Sequence, residues 1–294
     1  MNGIILIDKQ AGMTSRDVVD KVGKLLHTKN IGHTGTLDPM ATGVLALCVG
    51  KATKISELLT NYSKEYIAEI TLGIETDTLD TEGNIINEVC NVNTSKEKVI
   101  DILNSFIGIS EQQVPLYSAV KVKGKKMYQY ARSNIKIEPP KRKIEIYSIE
   151  LLDDIKSGNG KLKFKIKCHV SKGTYIRSLI RDIGLKLGYP ACMSSLRRIK
   201  QGNFLIENCH TIEDIANNNY KVLTIDEVLS NIESISVTKD EEKKIRNGAI
   251  IEKSFDSDMV KVFNQDGVLL AIYKTYNKDI FKAKPYKMLI TKDN

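Results

Sequence analysis

Asp38 stands in the stretch Gly32-His33-Thr34-Gly35-Thr36-Leu37-Asp38-Pro39-Met40-Ala41-Thr42-Gly43, where three glycines and one proline surround a single carboxylate and no helical or strand period is present. A carboxylate can act as a nucleophile or take up a proton. Either use requires that it be held still. Pro39 fixes the backbone beyond Asp38 and disfavours the helical region for Asp38 itself, so an ordered loop with an extended segment at residue 38 is expected. A lone Asp-Pro is more often a turn residue bonded to its own backbone. His33, Tyr66 and Arg177 likewise each have an ordinary reading: loop histidine, half-buried strand tyrosine, solvent-facing helix arginine. Arg177 carries one oddity. It falls in the first turn of an expected helix, where the macrodipole disfavours a cation by about 0.3–1 kcal/mol, and a carboxylate nearby would account for it. Asp38 is the expected partner.

Other chemistries lack their residues. GxGxxG is absent, and Gly50-Lys51-Ala52 fails the phosphate-loop pattern at the upstream glycine and at the final hydroxyl residue. Neither GxSxG nor HExxH occurs. The five cysteines (Cys48, Cys90, Cys168, Cys192 and Cys209) form no CxxC pair, and the four histidines (His27, His33, His169 and His210) show no HxxxH spacing. Free thiols and no metal are expected.

The elements that must position Asp38 can be placed by periodicity. Gly3 to Ile7 reads as a strand, Thr14 and Asp17 as the start of a helix carrying Val18, Val19, Val22, Leu25 and Leu26, and Val44 to Val49 as an apolar run. Tyr66 shares a strand face with Ala68, Ile70 and Leu72, and so points inward. From Lys161 to Val170 an apolar face alternates with Lys161, Lys163, Lys165 and Lys167, which are expected outside. Ile176, Leu179, Ile180, Ile183 and Leu187 recur at helical spacing, with Gly188 and Pro190 ending the helix. Elements in this mixed order suggest α/β or α+β, with antiparallel sheet. The polar segment Asn231 to Lys244 marks a boundary near residue 236. Beyond it, Met259–Phe263 and Val268–Lys274 flank a hairpin signal, Asn264 to Gly267, in a small all-β tail.

At 294 residues with 41% hydrophobic and 27% charged side chains, the chain has the composition of an ordinary globular protein of two unequal domains. No apolar run approaches a membrane span, and the N-terminus lacks the pattern of a signal peptide, so a cytoplasmic protein without membrane contact is expected. A net charge of +8 favours a polyanionic partner, although such a balance also occurs in proteins that never meet nucleic acid.

The loop from Gly32 to Leu45 resembles the signature of the TruB family, the tRNA pseudouridine-55 synthases, whose nucleophilic aspartate matches Asp38. The resemblance continues in the same order through Thr76 to Gly83, Pro115 to Lys121 with Gly124 to Lys126, Ser171 to Arg177, and Leu196-Arg197-Arg198. Gln10 departs from it, standing where the family has proline after its Asp-Lys pair. The resemblance implies an α+β fold: a pseudouridine synthase-like catalytic domain over residues 1–236 with a mixed, mainly antiparallel sheet, and a PUA-like RNA-binding domain over 237–294. It implies isomerisation of uridine 55 in the T-arm of tRNA without cofactor, guide RNA or metal, by a protein expected to be a monomer. Carried over by position, Asp38 is the nucleophile and Arg177 its partner. Tyr66 is an aromatic lid on the extruded base, Tyr175 and Leu196 line the uracil pocket, and His33 stacks beside the flipped nucleotide. Two other readings use the same scaffold: a catalytically idle RNA-binding or tRNA-chaperone protein, and a guide-dependent synthase. Intact Asp38, Tyr66 and Arg177 argue against the first, and a first strand starting at residue 3 argues against the second.

Overall fold

The computed structural model describes residues 1–133 and 135–290; the last four residues of the expected tail domain lie outside the described residues. The body is built on a ten-stranded mixed sheet. Its strands include β1 (Gly3–Lys9), β2 (Ile31–His33), β3 (Thr42–Val49), β4 (Lys64–Leu72), β5 (Gly108–Gln113), β6 (Lys141–Leu151), β7 (Lys161–Val170) and β8 (Ala191–Gln201). The order across it is β1-β3-β8-β4-β7-β6-β5, with β2 added beside β3. Only the β8–β3 contact along this path is parallel. In this register Leu196 of β8 lies opposite Ala68, and Tyr66 of β4 is flanked by Arg198 and Cys168.

Three helices cover one face: α1 (Ser15–Leu25), α2 (Lys96–Asn104) and α3 (Ile176–Leu187). Helix α1 starts at a reciprocal cap, in which the Asp17 N–H donates to Thr14 Oγ1 at 3.1 Å and the Thr14 N–H donates to the Asp17 carboxylate at 2.8 Å. Helix α3 ends at Gly188, whose φ of +90° is the left-handed cap that glycine adopts without strain. Val18, Val22, Val99, Leu103, Ile180 and Ile183 from these helices share one core with Ile5, Leu47, Ile70 and Phe164 of the sheet.

The tail forms a second, five-stranded sheet, ordered β9 (Glu233–Ser236), β11 (Met259–Phe263), β12 (Leu269–Tyr276), β13 (Asp279–Met288) and β10 (Ile251–Glu252). The hairpin at Asn264 to Gly267 joins β11 to β12 as expected. Three local expectations change. The polar stretch 231–244 is not a linker: β9 pairs with β11, and a helix, α4 (Lys239–Arg246), follows it. The reason is that Val237 and Ile245, two apolar residues spaced through that stretch, are buried in the tail's core. The chemistry-bearing loop is shorter than its glycines suggested, because Ile31 to His33 and Thr42 onward pair as strands and leave residues 34–41 between them. Lys161 points inward instead of out: its Nζ donates to Gly73 O and Val89 O and pairs with Glu88 at 2.9 Å, because the hairpin of residues 74–88 covers that end of β7.

Tail and body share apolar contact. Ile272 and Leu289 are buried in one cluster with Ile4, Leu6, Val44 and Ala46 on the second face of the body sheet. Lys287 pairs with Glu57, and the buried Lys261 with Asp226, across the same seam.

Candidate active site

Asp38 closes a turn whose Ala41 N–H donates back to Asp38 O at 3.0 Å, with Pro39 at the position whose φ the turn requires. Buried side chains clamp this loop from beneath. Ser15 Oγ accepts from the Leu37 N–H at 2.8 Å and donates to Leu37 O at 3.1 Å, which fixes the residue before Asp38. Lys9, fully buried at the end of β1, donates Nζ to Pro39 O (3.0 Å), Ala41 O (2.6 Å) and Gln10 O (3.1 Å), which fixes the residues after it. Burial pushes the Lys9 ammonium down to about 8, with Asp38 pulling the other way. Gln201 completes the support, its Nε2 donating to Thr34 O, Thr34 Oγ1 and Leu59 O.

Arg177 arrives from across the sheet. It occupies the first turn of α3, whose start is fastened to β5: Gln112 accepts from the Tyr175 N–H at 2.8 Å and donates to Tyr175 O at 3.1 Å, and Ser178 Oγ donates to Gln113 O at 2.9 Å. The guanidinium meets Asp38 twice. Nη2 donates to Oδ1 at 3.1 Å, while Nε lies 3.0 Å from Oδ2 without an aligned N–H. The pair is therefore one hydrogen bond and one close ion contact. The other donors hold Thr78 O (2.8 Å) and Tyr117 O (3.0 Å), and Nη1 lies 3.4 Å from the buried Asp80 carboxylate. Two carboxylates thus share one cation.

That sharing shapes the Asp38 acidity. Burial pushes its carboxyl above the ordinary 3.8, Arg177 pulls it down, and Asp80 adds to the rise. Pairing with arginine opposes the effect of burial without overcoming it.

Asp38 lines a cavity of about 1000 Å³, at the upper end of the range for ligand pockets. Tyr66, Tyr175, Arg177 and Leu196 line the same cavity, so five of the six residues singled out from the sequence meet there. Tyr66 is buried on β4, and the Tyr175 ring lies beneath the Arg142 guanidinium, 5.3 Å from it. His33 is not among the lining residues. It ends β2, its Nδ1 accepts from the Gly35 N–H at 3.3 Å, and burial together with the Arg198 charge lowers its pKa, which keeps the ring neutral.

The sequence reading assigned no role to several residues the cavity gathers. Asp80 and Lys64 are buried at its edge, and so is Ser118, whose hydroxyl has no hydrogen-bond partner among the described residues. Lys9 and Gln112 act from behind the wall. Asp80 and Ser118 lay within recognised motifs, whereas Lys9, Lys64 and Gln112 gave no periodic signal that they would be turned inward. Among the described residues, no group of three or more His, Cys, Asp or Glu side chains is gathered that could hold a metal ion, and no helix is long and apolar enough to cross a membrane.

Comparison with known proteins places this geometry in context. The family model described as TruB family pseudouridylate synthase, N-terminal domain, matches residues 23–176, and the model described as tRNA pseudouridylate synthase B C-terminal domain matches residues 177–236. A protein named tRNA pseudouridine synthase B from Halalkalibacterium halodurans is 43% identical over 98% of each chain. One of the same name from Bacillus subtilis is 42% identical over 99% of each. Among solved structures, a chain from a Cbf5-Nop10-Gar1 complex superposes with a TM-score of 0.72 at 25% identity, covering 99% of this chain and 86% of that one. A chain from an H/ACA ribonucleoprotein bound to a substrate RNA containing 2′-deoxyuridine shares the fold, with a TM-score of 0.71 at 23% identity over 99% and 86%.

Proposed function

The chain belongs to the TruB family of pseudouridylate synthases, and from that premise and the form of the cavity we propose that it isomerises uridine 55 in the T-arm of tRNA, with Asp38 as nucleophile. The observation that carries this reading is the Asp38 carboxylate, held 3.0 and 3.1 Å from Arg177 in a cavity wide enough for an extruded nucleotide.

A uridine stacked in an RNA loop must leave the stack before its far edge can be reached, at a cost of a few kcal/mol that aromatic and apolar contacts offset. Tyr66 lies over the base, while Tyr175 and Leu196 bound the uracil. His33, which does not line the cavity, stacks beside the vacated position. The reaction breaks the N1–C1′ bond, turns the uracil about the axis through N3 and C6, and forms the C5–C1′ bond. The C5 proton leaves and N1 gains a proton, so neither oxidant nor water is consumed and no cofactor is needed. Asp38 can serve by adding to C6, by attacking C1′ or by assisting removal of the C2′ proton, and all three routes draw on the same ionised carboxylate. Arg177 orients it and opposes its protonation.

Residues 1–236 carry the chemistry on this reading, and residues 237–294 add RNA contact. The protein acts as a monomer without a guide RNA. The test is to map pseudouridines in an unmodified tRNA transcript incubated with the pure protein alone. One pseudouridine at position 55 is expected. Modification at another position would overturn the site assignment, and none at all would overturn the enzyme reading.

A further inference from the structure

One wall of the cavity, beside Gly35, carries positive charge that no ion pair among the described residues balances. Lys64 is only 7% exposed and Arg198 only 1%, and both line the cavity together with Lys172. Lys64 and Arg198 meet beside Gly35, where a built Cβ would lie 3.4 Å from Arg198 Nη1, 3.7 Å from the neutral Gln201 Oε1 and 3.9 Å from Lys64 Cε. Their hydrogen bonds run to neutral oxygens. Lys64 Nζ donates to Thr60 O and Tyr62 O, each at 2.7 Å, Arg198 donates to Val44 O at 2.7 Å and Gly35 O at 2.9 Å, and Lys172 donates to the Asn61 amide oxygen at 2.9 Å.

Among the described residues, no carboxylate pairs with them. Burial pushes Lys64 down to about 8, and the charges that act on it, Arg198 and Lys172, are both positive. Arg198 likewise depresses His33 and Lys9. A buried cation without a counter-charge is costly, so a structural role alone does not account for two of them side by side. Neighbouring Gln201 makes the point, since it holds Thr34 O, Thr34 Oγ1 and Leu59 O with a neutral amide. The charge on Lys64 and Arg198 exceeds what holding backbone carbonyls requires.

We propose that Lys64, Arg198 and Lys172 form an anion site that takes one phosphodiester of the RNA, the one adjoining the extruded uridine. Two residues, Thr36 and Leu37, separate Gly35 from Asp38, so three Cα-to-Cα steps span at most about 11 Å and put the anion site and the carboxylate within reach of a single flipped nucleotide and its flanking phosphate. Glycine at position 35 leaves the approach to Arg198 Nη1 open. Lys64 offers its remaining N–H, and Arg198 has used two of its five donors. The site deepens the proposed reading: it rests on the cavity receiving an extruded uridine, and it assigns what anchors the strand there.

The test uses a T-arm stem-loop RNA carrying a single neutral methylphosphonate, moved one position at a time around the target uridine. Binding and pseudouridine formation are measured with the wild-type chain, Lys64→Gln and Lys172→Gln. One methylphosphonate position should weaken wild-type binding about tenfold, and at that position Lys64→Gln should cost little more, whereas on the unmodified RNA it should cost about tenfold by itself. The slope of log K against log salt should be shallower by about one for Lys64→Gln. Because the methylphosphonate series on wild-type protein involves no substitution, it stands even if a variant fails to fold. Full additivity at every position, or wild-type affinity and salt slope for Lys64→Gln, would overturn the anion site while leaving pseudouridine formation intact. Absence of pseudouridine from the wild-type reaction would instead overturn the functional reading, and this inference with it.

Discussion

The cavity has two charged clusters of different make-up, one in which carboxylates and cations meet and one of cations alone. Around Arg177, Asp38, Asp80 and the carbonyls of Thr78 and Tyr117 all face one guanidinium, and the buried Lys9 ammonium acts on Asp38 from behind the loop. Around Gly35 the excess is positive, with Lys64 and Arg198 facing only neutral oxygens. Folding alone favours neither arrangement, because an unpaired buried charge costs several kcal/mol. What they share is that both face one cavity. On the proposed reading the Asp38 carboxylate reacts with an electrophilic carbon of the nucleotide, and the cations beside Gly35 take a phosphate.

The sharpest way to break this contrast is Asp38→Asn. The amide is close in size but neither attacks as an anion nor accepts a proton as a carboxylate does, so isomerisation should fall by more than about 10⁴-fold, roughly 5 kcal/mol in barrier. RNA binding should survive, since phosphate and stacking contacts far outnumber this one side chain. Release of tritium from C5-labelled uridine, set beside a gel shift with the same RNA, separates the two. Stability should move the other way. A carboxyl whose folded-state pKa is raised costs stability as pH climbs through that value, so at neutral pH the asparagine variant should melt no lower than wild type. Release within about tenfold of wild type would remove Asp38 from the chemistry.

Arg177 tests the same cluster with a smaller effect. If activity needs the ionised Asp38 carboxylate, as proposed, kcat/KM should fall on acidification with a midpoint above 3.8, the ordinary value. Removing the guanidinium removes the main influence holding that midpoint down, so Arg177→Ala should move the acid limb to higher pH and slow the reaction by about 10²-fold at neutral pH. Alanine also leaves Asp80 buried beside no cation, and Arg177→Lys guards against simple unfolding. It should restore much of the midpoint, because charge is kept, and less of the rate, because the planar fork that holds Thr78 O and Tyr117 O is lost. An unmoved acid limb in both variants would show that Arg177 does not tune Asp38.

Much of this was legible in the sequence, and the limit has a physical form. Periodicity fixes which way a side chain leaves its own element, so Tyr66 could be turned inward and α3 bounded at Gly188 without coordinates. It says nothing of what arrives from elsewhere to cover an element. Lys161 alternates with outward lysines yet is buried under a hairpin from residues 74–88, and the polar run before residue 237 joins a sheet through only a few apolar residues. The tail read as a small all-β domain beyond a boundary near residue 236, and nothing in its sequence showed that Ile272 and Leu289 help cover the body's second face. In the site, Asp38 and the oddly placed Arg177 were visible because each was anomalous in its local setting. Lys9 and Gln112 were not, since a strand-end lysine and a strand glutamine look ordinary until their partners, 30 to 63 residues away, come into place.

Ser118 offers the smallest effect and the finest discrimination, because its hydroxyl belongs to neither charged cluster. It is 7% exposed, lines the cavity and has no hydrogen-bond partner among the described residues, although its backbone is tied by the Ser118 N–H to Leu116 O and by the Tyr128 N–H to Ser118 O. A buried hydroxyl left unpaired costs about 1–3 kcal/mol, which binding recovers if the nucleotide supplies a partner. Either carbonyl of uracil would do. Turning the base about its N3–C6 axis exchanges O2 with O4, so a hydroxyl facing one carbonyl before the rotation faces the other after it. Ser118→Ala should therefore raise Tm by about 2 °C, near 1 kcal/mol for a chain of this size, while weakening RNA binding by about threefold to tenfold with little change in the single-turnover rate. Thermal melts of the free protein and titrations with the stem-loop RNA read the two effects separately. If Ser118→Ala lowered Tm and left affinity unchanged, the hydroxyl would be serving the fold, and the cavity's polar contact with the base would have to come from elsewhere.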